Sequence, residues 1–190
     1  MKFLITGTTG GIGGAVKRAA LAAGHEVVDF NRADFAALDP QTSNFKRQTL
    51  DAVVFATGTC PVKPFALTSD ALFAETMEVN CGLFVKLLRS IVAEKLYNPA
   101  GLKVVAISSV SATEGWAGGA AYCASKGALS ALCRALDAEL QPKKISVVAL
   151  EPRYVKTKMF DACAGRMGVD PALAQSPDAL AAEILSRLMP

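Results

Sequence analysis

The chain has 190 residues, 52% of them hydrophobic and 19% charged, with a net charge of +3. This is too apolar for a disordered chain, and the length suits a single domain over 1–190 that buries roughly 70% of its unfolded surface. No apolar run reaches the ~20 residues of a membrane span, and the modest positive charge lacks the basic, aromatic-studded patch of a nucleic-acid binder.

Residues 2–5 (KFLI) form an apolar run of strand length, expected as a strand over 2–6. Thr6-Gly7-Thr8-Thr9-Gly10-Gly11-Ile12-Gly13-Gly14 follows, and then a helix over 12–23 closed by Gly24. Strand, glycine loop and helix together make an anion cradle. Gly7 permits a tight turn, while Gly11 and Gly13 let backbone approach a pyrophosphate at the helix N-terminus. With a strand starting at residue 2, no room is left for a secretory leader, and the expected location is the cytoplasm.

A second strand is expected over 26–30, ending at Asn31 and Arg32. ADFAALDP could hold a scrap of strand, and 40–48 a short helix opened by Asp39 and Pro40. A parallel crossover needs a dozen or more residues, so a further full strand does not fit before the next apolar run. Strands follow at 51–56, 103–108 and 145–150, and helices at 68–96, 120–140 and 177–188. Alternating strands and helices predict an α/β fold, a parallel sheet with helices on both faces.

Five cysteines (Cys60, Cys81, Cys123, Cys133 and Cys163) are an odd number without a Cys-x-x-Cys pair, which reads as reduced, buried thiols. His25 is the single histidine, so neither a zinc site nor a Ser-His triad is expected, and no metal is assigned. Tyr122 and Lys126 lie at i and i+4 of the helix over 120–140, on one face. A free tyrosine titrates near ~10, and a neighbouring ammonium is expected to lower that value. The pair reads as a tuned proton donor and acceptor, with Ser109 leaving the fourth strand toward it.

Taken together these motifs resemble the short-chain dehydrogenase/reductase family. Thr6-Gly7-x-x-x-Gly11-x-Gly13 is similar to its cofactor loop, and Ala56-Thr57-Gly58 in part to its Asn-Ala-Gly segment. Asn80, Ser109, Tyr122 and Lys126 match its catalytic positions, and Pro152-x4-Thr157-x-Met159 its motif after the fifth strand. Arg153 departs from the family, which usually has glycine there, and Thr57 departs more mildly. The resemblance implies a three-layer, Rossmann-like, doubly wound parallel sheet whose third and last family strands are missing or rudimentary, so that it is trimmed at both edges to the order 2-1-3-4-5.

The resemblance implies NAD(P)-dependent hydride transfer between a nicotinamide and a carbonyl or alcohol carbon. Tyr122 would exchange the proton, Ser109 would hold the substrate oxygen, and Lys126 would tune Tyr122 and contact the ribose. Asn80 would fix a water behind Lys126. Gly7, Thr9, Gly11, Ile12 and Gly13 of the glycine loop, with Ala56, Thr57 and Gly58, would bind the cofactor. Pro152, Val155 and Thr157 would hold the carboxamide or phosphates. At the end of the second strand an acidic residue would bind a ribose hydroxyl and repel a 2′-phosphate; neutral Asn31 followed by Arg32 favours NADP over NAD.

Glu114, Trp116 and Phe160 are the candidate substrate contacts, around an apolar ketone or aldehyde or a 3-oxoacyl thioester. A homodimer is expected through the helices at 68–96 and 120–140. Two other readings use the same residues: an isomerase or dehydratase-like relative with the same Tyr–Lys pair, and a non-catalytic NADP-binding or scaffold protein.

Overall fold

A computed structural model describes residues 1–36 and 49–189. The side chains of Arg32 and Ala36 lie outside the described residues, as do the short helix expected over 40–48 and the later half of the strand scrap expected in ADFAALDP. The elements run β1 (Lys2–Thr6), α1 (Gly11–Ala22), β2 (Glu26–Phe30), α2 (Arg32–Ala36), β3 (Ala52–Phe55), α3 (Asp70–Met77) and α4 (Leu83–Ala93). β4 (Leu102–Ile107), α5 (Ala120–Leu140), β5 (Ile145–Leu150), α6 (Lys158–Met167) and α7 (Pro177–Leu188) complete them.

The strands pair in parallel in the order β2-β1-β3-β4-β5, as expected. Successive side chains of a strand point to opposite faces, and here both faces are covered. Leu4, Val53 and Val104 pack with Phe84 and Leu87 of α4 and Leu129 of α5. Phe3, Ile5 and Val54 pack with Val16 of α1 and with Leu180 and Ile184 of α7. This is why the strands read as continuous apolar runs rather than alternating ones. Among the described residues β2 and β5 are the sheet edges, with no strand between β2 and β3 and none after β5. The Val147 N–H of the edge strand β5 donates to Asp137 Oδ1 of α5 at 2.8 Å, which satisfies a group that an open edge leaves without a strand partner.

α1 ends in a Schellman motif. Gly24 takes φ +77°, its N–H donates to Leu21, and the His25 N–H donates to Ala20. His25 then stacks on Phe3, ring centroids 5.1 Å apart, away from the carboxyl ends of the strands.

Three expectations need correction. Ala33–Ala36 is helical, not strand, because the Asp34 carboxylate accepts from the Asn31 N–H at 2.6 Å and so caps the start of α2. The single helix expected over 68–96 is interrupted by a π-helical turn, Glu78–Gly82, between α3 and α4. α6 was not expected as a helix. Its apolar pattern is weak, although Thr157 caps its start and Gly168, at φ +65°, its end.

Candidate active site

β1 is the switch point of the sheet: β2 lies on one side of it and β3 on the other. In such sheets the crevice opens beyond the carboxyl ends of the strands at this point. A cleft of about 820 Å³ occupies that place, running from the glycine loop past β3 and β4 to α6.

At one end the glycines are required by contact as well as by conformation. Gly7 has φ +65°, and a Cβ there would lie 2.8 Å from the Ala56 oxygen. A Cβ on Gly13 would lie 2.4 Å from the Gly7 oxygen, and one on Gly11 would lie 2.5 Å from Thr157 Cγ2. α1 begins at Gly11 with no side-chain cap and no acid in its first turn, so its leading N–H groups face the cleft unpaired by side chains. Thr157 packs on this loop from α6 while its hydroxyl caps that helix, accepting from the Phe160 N–H at 3.2 Å. Thr9 and Ile12 also line the cleft. A backbone cradle backed by a helix N-terminus fits a dinucleotide pyrophosphate.

Thr6, which opens the glycine-loop motif, stitches this loop to the exit of β3. Its buried hydroxyl accepts from the Ala56 and Thr57 N–H groups at 3.0 and 3.1 Å. Beyond them, a Cβ on Gly58 would sit 3.3 Å from Asn80 Oδ1 and 3.7 Å from Lys126 Nζ. At the end of β2, Asn31 lines the cleft and accepts a hydrogen bond from the Thr8 hydroxyl at 3.4 Å. The flanking acids are engaged elsewhere: Asp29 pairs with Lys17, and Asp34 caps α2.

At the other end, Ser109 leaves β4 and its hydroxyl accepts from the Ser111 N–H at 3.1 Å. The same hydroxyl stands near the Tyr122 phenol and favours its ionised form. Neighbouring Ser108 faces inward instead, bonded to Ser130 Oγ at 2.8 Å and to the Lys126 carbonyl at 3.1 Å. Lys126 is buried. Its Nζ donates to the Ile107 carbonyl at 2.7 Å and lies 5.7 Å from the Tyr122 ring centroid.

Here the electrostatics differ from the simple expectation. Burial pushes the Tyr122 phenol above its ordinary value, and nearby Cys60 adds to this, while the Ser109 hydroxyl offsets only part. Burial also pulls Lys126 down to about 8. Desolvation is thus the largest influence on both groups, raising the phenol and lowering the ammonium.

Asn80 sits fully buried in the π-helical turn. Its Oδ1 accepts from the Thr59 N–H at 2.7 Å, and its Nδ2 donates to the Thr59 carbonyl at 2.9 Å and to Ser125 Oγ at 2.8 Å. The side-chain amide therefore clamps the segment after β3 to α5.

Trp116 lies 6.4 Å from the Tyr122 ring and donates from Nε1 to Ser111 Oγ at 3.2 Å. Phe160 packs against Tyr154 at 5.6 Å. Both Trp116 and Phe160 line the cleft; Glu114 does not, and instead pairs with Arg153. Tyr154, Cys60 and Cys163 line it without having been foreseen. The position of Tyr154 between Pro152 and Val155 was the available signal. Pro152 and Val155 are at the cleft as expected. Arg153 needs no glycine conformation, since among the described residues positive φ at non-glycine positions is confined to Lys95 and Lys144.

The profile of the short chain dehydrogenase family matches residues 36–166. A 3-oxoacyl-[acyl-carrier-protein] reductase of Rickettsia felis is 28% identical over 179 residues, covering 83% of this chain and 74% of that protein. Among solved structures, a 3-ketoacyl-(acyl-carrier-protein) reductase from Brucella melitensis complexed with NADH superposes with a TM-score of 0.81. It is 21% identical, over 100% of this chain and 91% of that one. A putative NAD(P) dependent gluconate 5-dehydrogenase from Beutenbergia cavernae with bound NADP also gives 0.81, at 22% identity over 97% and 87% of the two chains.

Proposed function

The chain belongs to the short-chain dehydrogenase family, and from that premise we propose that it is an NADP-dependent carbonyl reductase or alcohol dehydrogenase acting through Tyr122. The observation that carries this reading is the meeting of Ser109, Tyr122 and buried Lys126 in the same cleft as the glycine loop. When bound, the nicotinamide cofactor supplies or accepts the hydride.

The chain's own residues hold and protonate. The N-terminus of α1 and the glycine loop bind the pyrophosphate, with Thr157 closing over them. Ala56, Thr57 and Gly58 would line the cofactor's path beyond β3, and Pro152 and Val155 would support its carboxamide side. Ser109 holds the substrate oxygen. Tyr122, whose raised phenol keeps its proton at neutral pH, donates it to that oxygen as negative charge develops. Lys126 stands beneath as a buried cation that favours the phenolate left behind. Asn80, through Thr59 and Ser125, keeps the two walls in register.

Neutral Asn31 at the end of β2, with Asp29 and Asp34 occupied elsewhere, supports NADP over NAD, because no carboxylate is set to repel a 2′-phosphate. The side chain of Arg32, the proposed partner of that phosphate, lies outside the described residues. The protein works as one domain in the cytoplasm, as a homodimer through α3–α4 and α5; among the described residues no helix is long and apolar enough to cross a membrane.

Tyr122→Phe tests the reading. It should lower NADPH-dependent carbonyl reduction by roughly 10²–10⁴-fold, the usual range for a lost general acid, while NADPH binding, followed by fluorescence, is retained. Undiminished turnover would sink the mechanism.

A further inference from the structure

Arg153 lines the cleft, on the turn that follows Pro152. The Val110 N–H donates to the Pro152 carbonyl at 3.2 Å, which binds the turn carrying Arg153 to the segment just after Ser109. The Arg153 guanidinium grips Glu114 with both arms, Nη2 to Oε1 at 2.7 Å and Nη1 to Oε2 at 3.2 Å. It also lies 6.0 Å from the Tyr154 ring.

Among the described residues lining the cleft, the charged ones are Lys126, Arg153 and Lys158, with no carboxylate. Lys126 is committed to the Ile107 carbonyl. Lys158 follows Thr157, whose side chain lies against Gly11 of the glycine loop. Arg153 is thus the cation left to the substrate end, whose other walls are Trp116, Tyr154 and Phe160.

Its present partner is itself informative. A planar fork already holding a carboxylate two-handed is oriented for a carboxylate. Both side chains of the pair are more than half exposed, and an exposed ion pair of this kind contributes little to stability, so exchanging one carboxylate for another is easy. A substrate carboxylate reaching Arg153 from inside the cleft would be screened less by water than Glu114 is from outside it.

We propose that Arg153 makes the cleft selective for carbonyl substrates with an apolar body and a terminal carboxylate, and that Glu114 holds the guanidinium in position until such a substrate displaces it. This rests on the reductase reading above. Arg153 is a specificity residue here, and Glu114 a positioning residue.

The test compares 4-oxopentanoate, 5-oxohexanoate and 6-oxoheptanoate with their methyl esters, which differ by one charge, as substrates with NADPH. Wild type should favour the acid for at least one chain length. Arg153→Gly should lower the acid-to-ester ratio of kcat/KM by roughly tenfold or more, as expected for loss of a charge-assisted pair. Glu114→Gln, which removes the competing carboxylate, should raise that ratio through a lower KM for the acid. A wild-type preference for the esters would overturn the inference. So would equal losses on acid and ester in both variants, since the pair would then be only a latch between two loops.

A second readout needs no cofactor. Trp116, the chain's single tryptophan, lies against this end of the cleft, and its fluorescence can be titrated with the same oxo acids. Acid binding that is lost in Arg153→Gly, without turnover of any compound, would sustain the anion site and defeat the reductase reading. Failure of wild type to bind any of the acids more tightly than its ester would defeat the anion site alone.

Discussion

Keeping Lys126 charged in the interior has an energetic cost that can be measured. The residue is 4% exposed, and burial lowers it from 10.5 to about 8. Each unit of such a shift corresponds to about 1.36 kcal/mol. The folded value lies below the unfolded one, so between about 8 and 10.5 the unfolded chain binds the extra proton. Stability therefore rises with pH through that window, and below it the folded protein carries the penalty of the buried charge. Lys126→Met removes the titrating group. It also removes the bond to the Ile107 carbonyl, which offsets the whole curve and largely cancels in a comparison of slopes. Between about pH 7 and about pH 10, wild type should gain roughly 2–3 kcal/mol relative to the Met variant. Urea unfolding of both proteins without added cofactor, at several pH values, reads this directly. Parallel stability curves, or a wild type that falls relative to Met as pH rises, would refute the account of Lys126 as a desolvated cation. The same substitution should abolish carbonyl reduction, so that the residue is kept for function against stability.

Gly13→Ala places a Cβ 2.4 Å from the Gly7 oxygen, a backbone atom that cannot swing aside. It should cost roughly 1–3 kcal/mol and weaken NADPH binding, and an unchanged Tm would contradict the packing described for the loop. Asn31→Asp should shift the preference from NADPH toward NADH by roughly tenfold or more, through repulsion of the 2′-phosphate; equal effects on the two cofactors in binding titrations would remove Asn31 from that role. Asp137→Ala strips the acceptor from the Val147 N–H at the edge of β5. It should lower stability by roughly 1–2 kcal/mol and promote association at high concentration, seen by light scattering. A variant as stable and as dispersed as wild type would mean that water serves that N–H equally well.

Part of this protein was legible in the chain itself because local physics governs it. The strands were readable because a parallel sheet covered on both faces demands unbroken apolar runs such as those around Phe3–Ile5 and Ala52–Phe55. The loop from Gly7 to Gly13 was readable because only glycine tolerates those contacts and the φ of Gly7. The Tyr122–Lys126 spacing was readable because i and i+4 share a helix face. The short connection after β2 showed that no full strand fits between it and β3, and the strand order came from the family resemblance.

Other features were set only when distant segments met. Asn80 stood out in the chain, but its clamp on Thr59 and Ser125, and the π-helical turn that accommodates it, depend on partners 21 and 45 residues away. Thr6 is an ordinary strand threonine until β3 arrives and its hydroxyl finds the Ala56 N–H, 50 residues on. Arg153 and Glu114, 39 residues apart, form a pair that no local pattern announces. The protonation balance at the site shows the difference most clearly. The sequence determined that a cation stands near the tyrosine. Only the tertiary structure decided that burial raises the phenol and lowers the ammonium, because desolvation depends on everything packed around a group and not on its neighbours along the chain.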